Sequence, residues 1–468
     1  MSKKIYITLS IILLLSLPFL SLGLDWSNGY FLPLAILAVA AFLALAAVNF
    51  QNAILLIILI MPAVYHFNYL KINIFNYLPF LNDYAFYLNP ASIIYLLLIL
   101  FGLLTLAEKK RELKTLPLKY ILALASVLAA ASISWSVDPR TSLIELVYLL
   151  APFSMYLIAY AHFSDYGSFL KLLFAAILSS IIPLGLAAGQ LFTGSYFYEP
   201  DSSLGRLTGG LDHPNTLGLF LFLIISLLAS WYLAKADRRL KNSKLIFFCL
   251  AGLLFFLVMT YSRTSWVSLA VFTLLLVFLE KKIILFLLAA LPAGAITLLA
   301  SDNIKFRLLE IFDNALFSSV AARLNIWRVS FEQILIRPFL GYGAGAAETV
   351  IDNAKPWRGG ISLPHNDYLL QTLELGLIGL IIFIIYTFGA IYHTFQAFKS
   401  MADKNTAINF GGRVFTLNFK VLAFGLLALL IALLPAAAAE SVSQKIIIQI
   451  IIWPLLGGLL GLKKTPAA

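Results

Sequence analysis

Ser362-Leu363-Pro364-His365-Asn366-Asp367 closes a long polar stretch and directly precedes an apolar run from about 368 to 396. Such a run exceeds the roughly 20 residues that an α-helix needs to cross a bilayer. His365 therefore stands where water meets membrane, and histidine is the side chain whose ordinary pKa lets it take or give a proton near neutrality. Similar runs recur at about 5–24, 30–48, 53–70, 90–107, 118–136, 143–161, 169–192, 216–234, 245–261, 265–279, 283–300, 418–436 and 444–462.

Composition agrees: 61% hydrophobic and 12% charged residues exclude a water-soluble globule of 468 residues. The expected architecture is an all-α, polytopic membrane bundle of about 12–14 helices in one integral membrane domain, 1–468. The first run is long enough, and its cleavage signal weak enough, to read as a retained helix. Lys and Arg favour the cytoplasmic side. With Lys3 and Lys4 inside, they collect in alternate segments, while the short outer loops hold Lys71, Arg140, Arg206, Arg263 and Lys445. Both ends are then cytoplasmic, and the long segment 301–367 faces outward. The net charge of +11 reflects topology and contact with anionic lipid, so nucleic acid is not an expected partner. The single Cys249 excludes an intrachain disulfide and reads as a packed apolar residue.

Within 301–367, Leu324, Trp327, Phe331, Ile334 and Leu335 recur at helical spacing, so Arg323 to Phe339 reads as an amphipathic helix ended by Pro338. It can lie in the membrane interface or pack on the bundle. Gly341-Tyr342-Gly343-Ala344-Gly345 is flexible enough to approach a ligand or act as a hinge. After His365, Asp367, Gln371 and Glu374 form one stripe that should face the bundle interior or a wet cavity. Gly376 and Gly379 suit close helix packing. The helix N-terminus beside His365 should keep its imidazole neutral and basic.

Arg206 and Arg263 suit phosphate binding, because a guanidinium makes bidentate, charge-assisted hydrogen bonds. His213, beside Asp212, is the rival base, whereas His66, His162 and His393 read as packed or interfacial residues. No metal-ligand spacing is present, so neither metal nor cofactor is expected.

The pattern His365-Asn366, nine residues, Gly376, two residues, Gly379 resembles the motif of bacterial O-antigen ligases. Arg206 with Pro214-Asn215, Ser262-Arg263-Thr264, and Arg323, Trp327, Gly341 and Gly343 are similar to the wider O-antigen ligase and polymerase superfamily, over residues 200–385. The resemblance implies a GT-C-like glycosyltransferase in the bacterial inner membrane with its site on the periplasmic face. It would move glycan from an undecaprenyl-diphosphate carrier to a hydroxyl of lipid A-core, another glycan or another acceptor, with inversion. His365 would be the general base, and Arg206 and Arg263 would hold the diphosphate. Asn366, Arg323, Arg337, Asn215, His213 and Glu374 complete the expected substrate-binding set. Polymerase and protein O-oligosaccharyltransferase activities share this pattern, and a lipid-linked glycan transporter is the alternative of another class.

Overall fold

The structure is a computed structural model that describes residues 31–66, 72–73, 87–88, 90–198, 204–236, 240–281, 319–356, 362–410 and 413–462. The expected spans at about 5–24 and 283–300 lie outside the described residues. Among the described residues sixteen helices run in order: α1 (Phe31–Val48), α2 (Phe50–His66), α3 (Pro90–Glu108), α4 (Lys110–Leu113), α5 (Lys119–Ser132), α6 (Pro139–His162), α7 (Tyr166–Leu178), α8 (Ile181–Thr193), α9 (Pro214–Ala234), α10 (Leu240–Met259), α11 (Arg263–Leu276), α12 (Ser319–Ile336), α13 (Ala347–Ala354), α14 (Asp367–Ser400), α15 (Phe419–Ala439) and α16 (Ile446–Gly461). Six helical stretches are long and apolar enough to cross a membrane, and six shorter apolar helices accompany them among the described residues. The chain is a polytopic, helical membrane protein.

Helices α9 and α16 form its centre. Both are apolar all round and buried on nearly every face, as a helix surrounded by others must be. Around them, α16 packs on α6, and α15 packs on α9, α11 and α14. Lipid is as apolar as leucine, so this association depends on close van der Waals packing more than on transfer from water. Gly218 of α9 accordingly leaves room for Ser262 and Ser265, and Gly425 of α15 leaves room for Ser230.

The run at 169–192 lies within one membrane-length stretch, Tyr166–Thr193, with a turn at Ser179-Ser180 between α7 and α8. Two expectations change. Cys249 is exposed rather than packed, because α10 lies at the perimeter and also exposes Leu245, Phe247 and Phe248. The bundle also carries a β-hairpin at its lysine-rich end, Asn405–Phe410 with Arg413–Asn418, whose register runs from Asn405 opposite Asn418 to Phe410 opposite Arg413. Two shorter antiparallel pairs join Ile72–Asn73 with Tyr87–Leu88 and Phe197–Tyr198 with Gly205–Arg206.

The decisive local feature is in α14. Gly376 has φ 67°, which breaks the helix there into two segments. The bend is sharp enough to bring the Tyr368 ring edge-on to Phe383, with centroids 5.8 Å apart; fifteen residues along a straight helix would separate them by about 22 Å. The loop before α13 fills the break. Leu377 N–H donates to the Pro338 carbonyl at 2.8 Å, while the amides of Tyr342 and Gly343 donate to the carbonyls of Leu373 and Glu374 at 3.1 and 2.8 Å. A side chain at Gly376 would collide with the Phe339 carbonyl. Gly376 thus admits a crossing chain instead of a neighbouring helix. The glycines at 341 and 343 bring backbone against α14 and Ser136, so this segment is welded into the bundle rather than hinged.

Candidate functional site

The N-termini of α9, α11, α14 and α16 and the C-terminus of α15 meet at one end of the bundle, and the polar side chains there are joined to one another. Glu440, immediately after α15, is the hub. It is 1% exposed, so its charge requires partners. Its Oε1 accepts from His365 Nδ1 at 2.5 Å, and its Oε2 accepts from Asn215 Nδ2 at 2.7 Å. Lys445 Nζ lies 3.7 Å from Oε1 and Arg323 lies 3.6 Å from Oε2. Burial pushes the Glu440 carboxyl up, but Lys445, the His365 hydrogen bond and Arg323 outweigh it and hold the group well below the usual carboxylate range.

His365 has φ 48°, a left-handed conformation uncommon for a residue with a side chain. The flanking contacts impose it. Trp327 Nε1 of α12 donates to the Pro364 carbonyl at 2.6 Å. Asn366 caps α14 by accepting from the amides of Tyr368 and Leu369 at 3.0 and 3.1 Å, and its amide donates to the Ala438 carbonyl at 2.9 Å. The helix N-terminus therefore faces Asn366, and the group in contact with the imidazole is a carboxylate. Asp367, next along, accepts from both the amide and the hydroxyl of Ser443, which ties α14 to the 440–445 loop. The His365 side chain keeps 22% of its surface exposed. A carboxylate on Nδ1 makes that nitrogen the donor and leaves the lone pair on Nε2.

Arg206 is 1% exposed. Its Nε donates to the Thr260 carbonyl at 2.8 Å and its guanidinium donates to Asn215 Oδ1 at 2.6 Å, so Asn215 links Arg206 to Glu440. Arg263 opens α11 three residues after Thr260 and is partly buried. Arg323 donates to the Ala439 carbonyl at 2.9 Å, where a cation also suits the negative end of α15. Lys445 Nζ donates to Thr216 Oγ1 at 3.0 Å in the first turn of α9.

His213 caps α9: its Nδ1 accepts from the Asn215 amide at 3.1 Å. Burial, with Lys445 and Arg206 nearby, lowers its pKa to about 3. A neutral imidazole with Nδ1 accepting carries its proton on Nε2, and so presents a donor rather than a base.

Two of the expected residues stand apart from the hub. Arg337 is exposed, with its guanidinium 4.8 Å from the centre of the Tyr342 ring. Glu374 is buried on the first segment of α14, with the amides of Gly345 and Ala347 directed at its carboxylate. Helix α12 has two apolar faces: Ile326, Val329 and Ile334 are buried, while Leu324, Phe331, Leu335 and Ile336 are exposed. Glu440, Lys445 and Thr260 enter the cluster without having been expected. The signal for Glu440 was its position as the single acid between two long apolar runs, where an ionisable group marks function.

Comparison with known proteins finds relatives over parts of the chain. Residues 245–384 match a family model described as O-antigen ligase. A Rickettsia conorii protein whose name assigns it to the polysaccharide ligases is 36% identical over 95 residues, covering 19% of this chain and 22% of the relative. A Rickettsia prowazekii protein of the same designation is 42% identical over 74 residues, covering 14% and 18%. The ComP-specific O-oligosaccharyltransferase of Acinetobacter baylyi is 30% identical over 206 residues, covering 41% and 36%. These matches span only about a fifth to a third of the relatives' own lengths. They relate the chain to the O-antigen ligase superfamily and support a transferase activity in general terms. The matched family segment contains Arg263, Arg323, His365 and Asn366, and ends before Glu440.

Proposed function

We propose that this protein transfers a glycan from a polyprenyl-diphosphate carrier to an acceptor hydroxyl at the membrane surface that bears His365. The observation that carries the reading is the His365–Glu440 pair set among Arg206, Arg323 and Lys445. His365 Nε2 takes the proton of the acceptor hydroxyl as its oxygen attacks the anomeric carbon. The bond from that carbon to the diphosphate oxygen breaks, its electron pair leaves with the diphosphate, and the anomeric centre inverts. Glu440 stabilises the imidazolium that forms and holds the ring in the base-competent tautomer. The cations and the convergent helix N-termini favour the negative charge that grows on the leaving diphosphate. Arg206 and Arg263, whose loops are joined through Thr260, are assigned to the diphosphate, and Arg323 and Asn366 hold the histidine segment. His213 contributes an N–H donor. Arg337, just after α12, and Glu374, on the first segment of α14, are retained as substrate contacts.

Lipid A-core or another glycan is the acceptor that polysaccharide ligases suggest. The Acinetobacter relative, which matches the longest part of this chain among those described, supports a protein hydroxyl as the second reading. The partition of Lys and Arg supports an inner-membrane location with the site on the periplasmic face. An impermeant maleimide should then label Asn353→Cys, but not Asn242→Cys, in Cys249→Ser cells whose outer membrane alone is permeabilised and whose inner membrane is intact.

The deciding experiment uses purified protein in nanodiscs with undecaprenyl-diphosphate-linked glycan. His365→Ala should retain donor binding while transfer falls about 100- to 10,000-fold, and wild-type turnover should persist in EDTA. Wild-type transfer by His365→Ala would reassign the base.

A further inference from the structure

A second polar group lies beside the His365–Glu440 cluster, where α2, α3 and α6 meet the loop that leads into α9. The Tyr65 hydroxyl of α2 donates to the Asp212 carboxylate. Tyr95 of α3 stands edge-on to Tyr148 of α6, with ring centroids 5.4 Å apart, and Asp212 is close enough to act on it electrostatically. Glu145, three residues before Tyr148 on α6, acts likewise on Tyr148. Tyr95 is 1% exposed, and its hydroxyl has no hydrogen-bond partner among the described residues. Asp212 is exposed, while Tyr65 and Tyr148 are half-buried, so the group opens on one side.

An unpaired buried hydroxyl is costly, and the chemistry around this one differs from that at the hub. The charged groups acting on the three phenols are carboxylates, whereas the hub gathers Arg206, Arg323 and Lys445. His213 joins the two halves. It follows Asp212 in the chain, its ring meets Phe197 at 5.1 Å, and it lies within the electrostatic reach of Arg206, Lys445, Glu440 and His365. Carboxylates accept from sugar hydroxyls, phenols both donate and accept, and tyrosine faces pack against the C–H face of a pyranose.

We infer that Tyr65, Tyr95, Tyr148 and Asp212 form a subsite for one uncharged sugar ring of the glycan substrate, beside the cationic half that takes the diphosphate. This assignment rests on the glycan-transfer reading. The ring belongs either to the donor glycan or to the acceptor.

Saturation-transfer NMR on the detergent-solubilised full chain, with methyl glycosides of glucose, galactose, N-acetylglucosamine and rhamnose as probes, tests the subsite without requiring turnover. At least one glycoside should receive saturation from wild type and from His365→Ala, and lose most of it with Tyr65→Phe and with Asp212→Asn. Silence from all four glycosides, or unchanged signals in both subsite variants, overturns the inference. In the transfer assay the same variants should raise one KM about 3- to 10-fold while kcat stays near wild type. A rise in donor KM places the ring on the donor, and a rise in acceptor KM places it on the acceptor. Glycoside binding by a wild type that transfers no glycan would refute the transfer reading and leave the subsite standing; transfer with both KM values unchanged would do the reverse.

Discussion

His365 and Glu440 are 75 residues apart in the chain, yet the imidazole Nδ1 and the carboxylate Oε1 are 2.5 Å apart. The pair defines the orientation of the imidazole proposed as the base, so on that proposal its disruption should affect the chemical step. Glu440→Gln removes the charge that stabilises the imidazolium and should lower kcat about 100-fold or more, with donor KM less affected. Donor titration beside steady-state rates checks this split. Equal losses in binding and kcat would assign Glu440 to the support of the fold alone.

Arg206 is held in two directions, toward Thr260 and toward Asn215. Arg206→Ala leaves buried acceptors unpaired and should cost on the order of 3 kcal/mol in stability, seen as a lower melting temperature in detergent as well as lost transfer. Arg206→Lys restores the charge without the planar fork and should recover only part of either quantity. Full melting-temperature recovery with no recovery of transfer would separate a substrate contact from the structural role.

Gly376 must adopt φ 67° with no space for a side chain. Gly376→Ala should destabilise the protein by more than about 1–3 kcal/mol, reducing both folded yield and transfer. Gly252→Ala, where nothing lies within 4 Å of an added Cβ, is the control and should leave the melting temperature near wild type. Equal behaviour of the two variants would remove the break in α14 from the account.

Acid should destabilise this end of the bundle in two stages. His213 has a folded pKa of about 3 against an ordinary 6.5, so an unfolded chain takes up the proton first and stability falls as pH drops below 6.5 toward 3. Glu440 is held below the usual carboxylate range, so its contribution is present above about 4.3 and is lost as pH falls through its lower folded value. Melting scans from pH 7 to pH 3 should decline throughout. His213→Asn keeps a capping side chain for α9 but removes the imidazole, and should flatten the upper part of that decline.

The helices were legible because a membrane span needs one long apolar run, and that requirement is local. The His365-Asn366 motif was legible for the same reason, since its parts lie within fifteen residues. Glu440 and Lys445 were not, because their role depends on α15 and α16 meeting beside the start of α14, a relation between distant segments. The break at Gly376 was hidden because the helical spacing of Asp367, Gln371 and Glu374 leads up to it and an apolar run continues after it. The hairpin at 405–418 carried a readable signal, Gly411-Gly412 between alternating residues, that the apolar runs on either side overshadowed.

Glu440 and Lys445 sit between the last two described helices, and this position has a consequence for biogenesis. A chain emerging from the ribosome inserts its segments in order, so α9, α11 and α14 reach the membrane while His365 still lacks its carboxylate and Arg206 and Asn215 lack the acid that joins them to it. On the proposed mechanism, competence then arrives late, when α15 and the 440–445 loop are in place. A chain interrupted before them would lack the carboxylate of the pair and would be unable to consume the proposed lipid carrier.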